Sequence, residues 1–360
     1  MKATLILANG QTFVGESIGC VEDKVFQLVF NTSMVGYQEI LTDPACAGQG
    51  VVMSYPLIGN YGVNMEDNES DHIWAEGFVI RCMAHRGSNF RNEGDLNSYL
   101  KQHHITGICG VDTRALTKIL RNEGTMNAMI TCAEHFHSSE VMERLKAYKV
   151  TGKVSAVTCT EAKEYPAKNG AYKVALLDLG AKRTLIEGLN AAGCTVVRLP
   201  AGTSAEEILS GGYDGLVVSN GPGCPCENEG VIACVKAVMA AGLPTFGCGL
   251  GHSIMALAMG GAVEQLPYGH HGANQPVRCI ATGRVHIAGE NQLYAVKADS
   301  LTDVAEVSFV NINDKSCAGL VYKTCPAFSV QFHPESDPGP VATFGKFAEL
   351  IANVKNGGAN

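Results

Sequence analysis

The segment LPTFGCGLGHSIMALAMGG, residues 243–261, decides the fold, because it runs from an apolar strand through a glycine-rich turn into a helical stretch. A strand, turn and helix that spell Gly-x-nucleophile-x-Gly form a nucleophile elbow, whose central residue stands exposed at the end of the strand. Gly247 and Gly251 match the two framing glycines. The central position is therefore Gly249, which has no side chain, and not the neighbouring Cys248.

Strand and helix patterns alternate ahead of this segment, from Tyr172 onward, as KVALLDLG, KRTLIEGLNAAG, TVVRLP, SAEEILSGG and GLVVSNGPG. Such alternation predicts a central, mostly parallel sheet flanked by helices on both faces. Ligands bind at the carboxyl ends of the strands in sheets of this kind. We therefore expect a site built from loops 219–225 and 247–253 and from the segment around His333.

The first part of the chain has a different texture, with short apolar or alternating runs broken by Gly, Asn and Pro, as in LILANGQTFVGESIG at 5–19. These runs predict strands joined by tight turns. One helix stands out over 114–123, with Asp112 and Thr113 as caps before it and Gly124 after it. We predict an α/β protein with a strand-rich mixed domain at 1–150, a linker at 151–171 and the sheet domain at 172–355.

Composition excludes several classes of function. The 360 residues carry a formal net charge of -8, which leaves no basic surface for nucleic acid. No apolar run approaches the roughly 20 residues of a membrane span, and no secretory signal is present, so we expect a cytoplasmic protein. The fourteen cysteines are expected to be mostly reduced core residues, and the spacing of Cys224 and Cys226 does not fit zinc, so no metal site is predicted.

Two further segments carry candidate chemistry. In SVQFHPESDPGP, residues 329–340, His333 and Glu335 are two apart, so both side chains are expected on the same side of an extended segment. A histidine polarised by a carboxylate is the base half of a thiol-activating triad. The loop SNGPG, residues 219–223, offers backbone N–H groups at a strand end, which suit an oxyanion.

The elbow, SNGPG and HPE, in this order, resemble class I (triad-type) glutamine amidotransferases, whose elbow reads FGICLGHQ. The remaining motifs resemble the small subunit of carbamoyl-phosphate synthetases, so that the resemblance covers essentially the full chain. They are NTSMVGYQEILTDPACAGQ at 31–49, YPLIGNYG at 55–62, SNFR at 88–91, GVDTRALT at 110–117, LDLGAKR at 177–183 and YGHHGANQPV at 268–277.

The resemblance implies that the chain hydrolyses glutamine to glutamate and passes ammonia to a large partner subunit. That subunit uses ATP, Mg and bicarbonate to make carbamoyl phosphate for arginine or pyrimidine biosynthesis, and the chain itself holds no cofactor. His333 and Glu335 take the catalytic roles beside the apex. The positions implied to bind L-glutamine are Ala45, Gly221, Gly223, Leu250, Ser253, Asn291, Leu293 and Tyr294.

Several of these positions depart from the family pattern. Ala45 replaces a serine, Ser253 replaces the glutamine after the elbow histidine, and Cys224 replaces an aspartate. The family's NHG followed by an aromatic reads Asn291, Gln292, Leu293 and Tyr294. With Gly249 at the apex there is no thiol to form a thioester, so glutaminase activity is predicted to be lost.

Three hypotheses remain open from the sequence. The chain is the small subunit of a synthetase that depends on free ammonia, or it is a non-catalytic pseudo-amidotransferase with a regulatory or interaction role. A third hypothesis keeps glutaminase activity through Cys248 or Cys224. The alternation of side chains along a strand argues against Cys248, because it directs that thiol into the packing of the sheet.

Overall fold

The computed structural model describes residues 1–336 and 340–357. They form two compact units, of which the first contains residues 1–151 and 267–272 and the second contains the other described residues. The division falls where the sequence presents the linker 151–171. That range contains a short helix and an edge strand, both in the second unit.

The first unit is built around a closed barrel of seven strands, in the order β1-β2-β8-β6-β4-β3-β9. A separate two-stranded sheet joins β5 to β7. The elements are β1 (Lys2–Leu7), β2 (Thr12–Gly19), β3 (Lys24–Asn31), α1 (Tyr37–Thr42), β4 (Gln49–Met53), β5 (Leu57–Ile58), β6 (Gly77–Val79), β7 (Cys82–Met83), α2 (Leu96–Gln102), β8 (Thr106–Cys109), α3 (Thr113–Glu123), β9 (Met126–Thr131) and α4 (Ser138–Ala147).

The helix predicted from the caps is confirmed as α3. The Asp112 side chain accepts a hydrogen bond from the backbone N–H of Ala115 at 3.0 Å, and the helix ends at Gly124, whose φ is +91°. Leu116 and Leu120 turn one face of α3 into the core of the unit, where they pack with residues such as Phe26. The strand-rich character expected here is thus present, together with a barrel closure that local patterns did not indicate.

The second unit has a ten-stranded sheet in the order β10-β12-β11-β13-β14-β19-β18-β16-β15-β17. The elements are α5 (Lys153–Val157), β10 (Lys163–Tyr165), β11 (Tyr172–Asp178), α6 (Arg183–Ala191), β12 (Cys194–Pro200), α7 (Ala205–Ser210), β13 (Gly215–Val218), α8 (Glu229–Ala240), β14 (Thr245–Cys248), α9 (Leu250–Ala258), β15 (Ala262–Cys279), β16 (Val285–Lys297), β17 (Ala305–Asn311), β18 (Cys317–Tyr322), β19 (Ala327–Val330) and α10 (Pro340–Lys355). Residues 267–272 of β15 belong to the first unit.

The centre of this sheet is parallel, as predicted, because β12, β11, β13, β14 and β19 run in one direction. Successive residues of β11 enter two different cores: Leu177 packs with the helices on one face, and Leu176 packs with those on the other. Burial on both faces explains why these strands read as continuous apolar runs. The sheet therefore brings the ends of β11, β13, β14 and β19 to one edge.

Two expectations from composition can be compared with the structure. Within the described ranges all fourteen cysteines are free, but only six are buried, so the expectation that most lie in the core is wrong. Among the described residues, no helix combines the length and apolar character that a membrane crossing requires.

Candidate active site

Gly249 stands at the sharp turn between β14 and α9, at the carboxyl end of the parallel sheet. Its backbone has φ +56° and ψ -116°, a conformation that residues with a Cβ adopt only under strain. Its N–H donates to the carbonyl oxygen of Val330 at 3.1 Å, which ties the apex to the end of β19. The geometry of an elbow is therefore present without a nucleophile at its apex.

The two framing glycines identify the apex independently of any alignment. A Cβ on Gly251 would overlap the carbonyl oxygen of Val218, and one on Gly247 would lie 2.5 Å from the Met255 sulfur. A side chain at either position is excluded by this packing, so the elbow cannot shift by one residue. Cys248 is consequently the residue before the apex.

Cys248 points into the packed interior. It is 1% exposed, and its Sγ lies 4.0 Å from the carbonyl oxygen of Val218. Burial and, to a smaller degree, the nearby charge of Glu335 raise the pKa of the Cys248 thiol far above its ordinary value. A neutral, inaccessible thiol has neither the charge nor the approach that a nucleophile requires.

His333 and Glu335 meet in a buried ion network. His333 Nδ1 lies 3.3 Å from Glu335 Oε1, and Lys182 Nζ lies 3.0 Å from the same oxygen. Glu335 belongs to a short 3₁₀ turn, Pro334–Ser336, so the contact does not arise from the extended segment that the sequence suggested. Burial opposes the charge of Glu335, but Lys182 and His333 together hold its pKa well below the usual range.

The loop after β13 supplies donors beside the apex. Asn220 is buried, and its Cβ would lie 3.0 Å from a Cβ on Gly249. Its side-chain nitrogen has no hydrogen-bond acceptor among the described residues. A Cβ on Gly221 would overlap the carbonyl oxygen of Leu179 and would contact Leu250, so only glycine lets this loop pack so closely against the start of α9.

The other predicted ligand positions are distributed over three places. Leu250 and Ser253 are buried in the first turns of α9. Asn291, Leu293 and Tyr294 lie on β16, where the carbonyl oxygen of Gly289 accepts the His333 N–H at 2.8 Å, so β16 runs beside the histidine. Gly223 follows Gly221 with φ +82°. Ala45 is buried in the first unit, where its N–H donates to Asp43.

Cys224 is engaged by two neighbours. Its thiol lies beside the Tyr294 hydroxyl and the Cys226 thiol. Burial and then this contact with Cys224 raise the pKa of Tyr294. Cys224 also lines a cavity of about 650 Å³ that extends along Lys153, Ser204 and Asn228. Among the described residues that line this cavity, neither Gly249 nor His333 is present.

Two functional candidates were missed by sequence reasoning. Lys182 lies in the quoted segment LDLGAKR, but its partner Glu335 is 153 residues away, and no local pattern connects the two. Asn220 lies inside SNGPG, which we considered only for its backbone. The signal for both is position, because each lies within four residues of the end of a parallel strand at the elbow edge of the sheet.

Comparisons with known proteins agree with this arrangement. The family model "Carbamoyl-phosphate synthase small chain, CPSase domain" matches residues 5–130, and "Glutamine amidotransferase class-I" matches residues 175–352. A carbamoyl phosphate synthase small chain from Listeria monocytogenes is 40% identical over 362 residues, covering 99% of this chain and 98% of its own.

Two further relatives show the same full-length similarity. A small chain from Clostridium perfringens is 42% identical over 340 residues, 94% of this chain and 96% of its own. The pyrimidine-specific small chain of Bacillus subtilis is 39% identical over 362 residues, 99% of this chain and 98% of its own. With both family models matching in sequence order and these relatives aligned almost from end to end, the chain belongs to the carbamoyl-phosphate synthase small-chain family and carries its class I glutamine amidotransferase domain.

Proposed function

We propose that this chain serves as the small chain of a carbamoyl-phosphate synthase whose amidotransferase site no longer hydrolyses glutamine. The observation that carries the proposal is Gly249 at the apex of an otherwise well-formed elbow. In the thioester mechanism, the apex thiolate forms a bond to the carboxamide carbon and expels ammonia. Glycine offers no atom for that bond.

No other thiol in the site replaces the missing one. Cys248 is buried and neutral, and Cys224 lies against Tyr294 and Cys226 and lines the cavity described above. Removal of the nucleophile from a hydrolytic triad lowers turnover on the order of a million-fold, even when base and carboxylate remain. We expect a loss of this order here.

The retained base explains what the site can still do. With Lys182 and His333 both against Glu335, the carboxylate stays ionised and fixes the imidazole ring. This arrangement can still accept a proton from a bound group, but no covalent intermediate follows. Ser253, on the helix that follows the apex, also departs from the pattern that the family resemblance implies, which supports a wider change of the site over a single isolated substitution.

The names of the relatives support a partner. A small chain implies a large chain, and we propose that this protein binds one and leaves to it the ATP-dependent chemistry. Without ammonia from glutamine, the complex is expected to take free ammonia from solution.

The experiment measures glutamate released from glutamine by the purified chain, alone and with a cognate large chain, beside the Gly249→Cys variant. The wild type is expected to release no glutamate above background. Release by Gly249→Cys would show that glutamine still binds and that only the nucleophile is missing. An inactive variant would show that the thiol alone does not restore turnover, as expected if the change at Ser253 also weakens glutamine binding.

Two matched variants, Cys248→Ala and Cys224→Ser, test the alternative nucleophiles. If the wild type turns glutamine over and either substitution abolishes that turnover, the substituted cysteine is the nucleophile and the proposal is wrong.

A further inference from the structure

Three side chains that bind metals in other proteins meet in the first unit, outside the amidotransferase site. They are Cys20, Glu22 and His104, whose ligand atoms all lie within 4.8 Å of one another. Cys20 Sγ lies 3.5 Å from Glu22 Oε1. Cys20 is partly exposed and the other two are exposed, so an ion reaches them directly from solvent.

The backbone holds these ligands on two turns that are locked together. Cys20 and Glu22 follow β2, and His104 follows α2. The Cys20 N–H donates to the carbonyl oxygen of Ile105 at 2.8 Å, and the Thr106 hydroxyl donates to the carbonyl oxygen of Glu22 at 3.1 Å. Hydrogen bonds join the two turns beside the ligands, so the backbone needs little further ordering when an ion binds.

His104 occupies a position that favours glycine. The N–H of Ile105 donates to the carbonyl oxygen of Leu100, and the N–H of His104 donates to that of Lys101, the two bonds of a Schellman motif at the end of α2. His104 is the αL residue of this motif, with φ +57°. Glycine would fit there without strain, so a histidine at this position lowers the stability of the fold.

We propose that Cys20, Glu22 and His104 form a zinc-binding site that leaves a fourth position open to water. A thiolate, an imidazole and a carboxylate are the three ligand types that zinc accepts together. Tetrahedral ligand atoms at about 2.0–2.3 Å from one ion lie about 3.3–3.8 Å apart. Ligand pairs that lie up to 4.8 Å apart therefore have to close by about 1 Å. Binding releases the thiol proton of Cys20, and His104 binds as neutral imidazole.

No local sequence pattern indicates this site, because Glu22 and His104 are 82 residues apart in the chain. Their proximity depends on the antiparallel pairing of β2 with β8, in which Gly19 is opposite Thr106. The site does not use the elbow, so it can be tested whether or not the chain hydrolyses glutamine.

The test uses Co²⁺ as a spectroscopic substitute for zinc on the full chain. Cys224 and Cys226 are a second pair of neighbouring thiols that would compete for Co²⁺. Every protein in the test therefore carries Cys224→Ser and Cys226→Ser. The expected result is a thiolate-to-cobalt charge-transfer band that saturates at one equivalent and disappears on addition of Zn²⁺. Cys20→Ser should abolish the band, and the matched control Cys82→Ser, which removes another exposed thiol, should leave it unchanged.

A second variant separates metal binding from folding. If His104 is a ligand, His104→Gly should weaken Co²⁺ binding at least tenfold and yet raise Tm in metal-free buffer, because glycine relieves the positive φ. Zn²⁺ should raise the Tm of the parent protein and not that of Cys20→Ser. The proposal is overturned if no band appears, if the band survives Cys20→Ser, or if His104→Gly binds Co²⁺ as tightly as the parent.

Discussion

Gly249 carries no side chain at the apex and is therefore free of the strain that the elbow imposes on a residue with a Cβ. A residue with a Cβ at φ +56° and ψ -116° stores of order 1–3 kcal/mol. An added Cβ would also come within 3.0 Å of the Asn220 Cβ. We therefore predict that Gly249→Ala lowers the free energy of unfolding in urea by about 1–3 kcal/mol.

Two other glycines separate the causes of that loss. Gly242 has φ +78° with no neighbouring atom within 4 Å of an added Cβ, and Gly230 has the same free space without positive φ. Gly242→Ala should therefore report backbone strain alone, and Gly230→Ala should cost nothing or stabilise α8. A Gly249→Ala protein as stable as the wild type would contradict the strain argument.

His252, three residues beyond the apex, gives a pH dependence of stability. It is fully buried, with Nδ1 2.8 Å from Ser329 Oγ, and burial lowers its pKa from 6.5 to about 3. Below pH 6.5 the unfolded chain gains a proton on His252 that the folded chain refuses. The stabilisation is thus complete above pH 6.5 and is lost as the pH falls toward 3.

At pH 4.5 this single group is expected to reduce the free energy of unfolding by roughly 2–3 kcal/mol relative to pH 7. Urea unfolding of wild type and His252→Gln at both values measures the effect. The variant cannot take up the proton, so its stability should fall less over the same range. Equal losses for the two proteins would show that His252 is not held neutral in the fold.

Among the elements, the barrel strands β3, β4 and β6 pack around one large aromatic ring, and two glycines leave the space for it. Gly50 and Gly77 are opposite each other on β4 and β6, and a Cβ on either would overlap the ring of Phe26, which is completely buried. Gly77→Ala is therefore predicted to lower the free energy of unfolding by about 1–3 kcal/mol, the usual range for overpacking a core.

A double-mutant cycle identifies the cause. Phe26→Leu removes the ring, so adding it to Gly77→Ala should recover part of the loss, although Phe26→Leu alone is destabilising. Strict additivity of the two changes in urea unfolding would mean that the glycine is required for its backbone and not for the space it leaves to Phe26.

The elements that the sequence predicted correctly are those with local signals. The Asp112 cap and Gly124 stop define α3, and the glycine-framed turn defines the elbow between β14 and α9. Barrel closure through β1 and β9 was not predictable, because it joins Leu5 to Ile130 without any local pattern. The 3₁₀ turn at Glu335 was also missed, because the expected same-side geometry assumed extended backbone.

At the scale of the whole molecule, similarity extends over both regions of the chain, because relatives near 40% identity align with it almost from end to end. The proposed loss of glutaminase activity therefore separates the chemistry of the elbow from the fold that carries it. Loss of either partner of the buried Lys182–Glu335 ion pair would leave an unpaired buried charge and strongly destabilise the fold. The pair therefore has a structural role that does not depend on catalysis.

This separation leads to a prediction for the complex. With a cognate large chain, ATP and bicarbonate, we expect carbamoyl phosphate to form from ammonium chloride and not from glutamine. The Gly249→Cys complex, prepared in parallel, is the control. If the variant alone releases glutamate, its complex tests whether ammonia from glutamine can still reach the large chain. Glutamine-dependent synthesis by the wild type would contradict the loss of glutaminase activity. If the two chains form no complex, the small-chain role itself fails, and the non-catalytic interaction protein becomes the better interpretation.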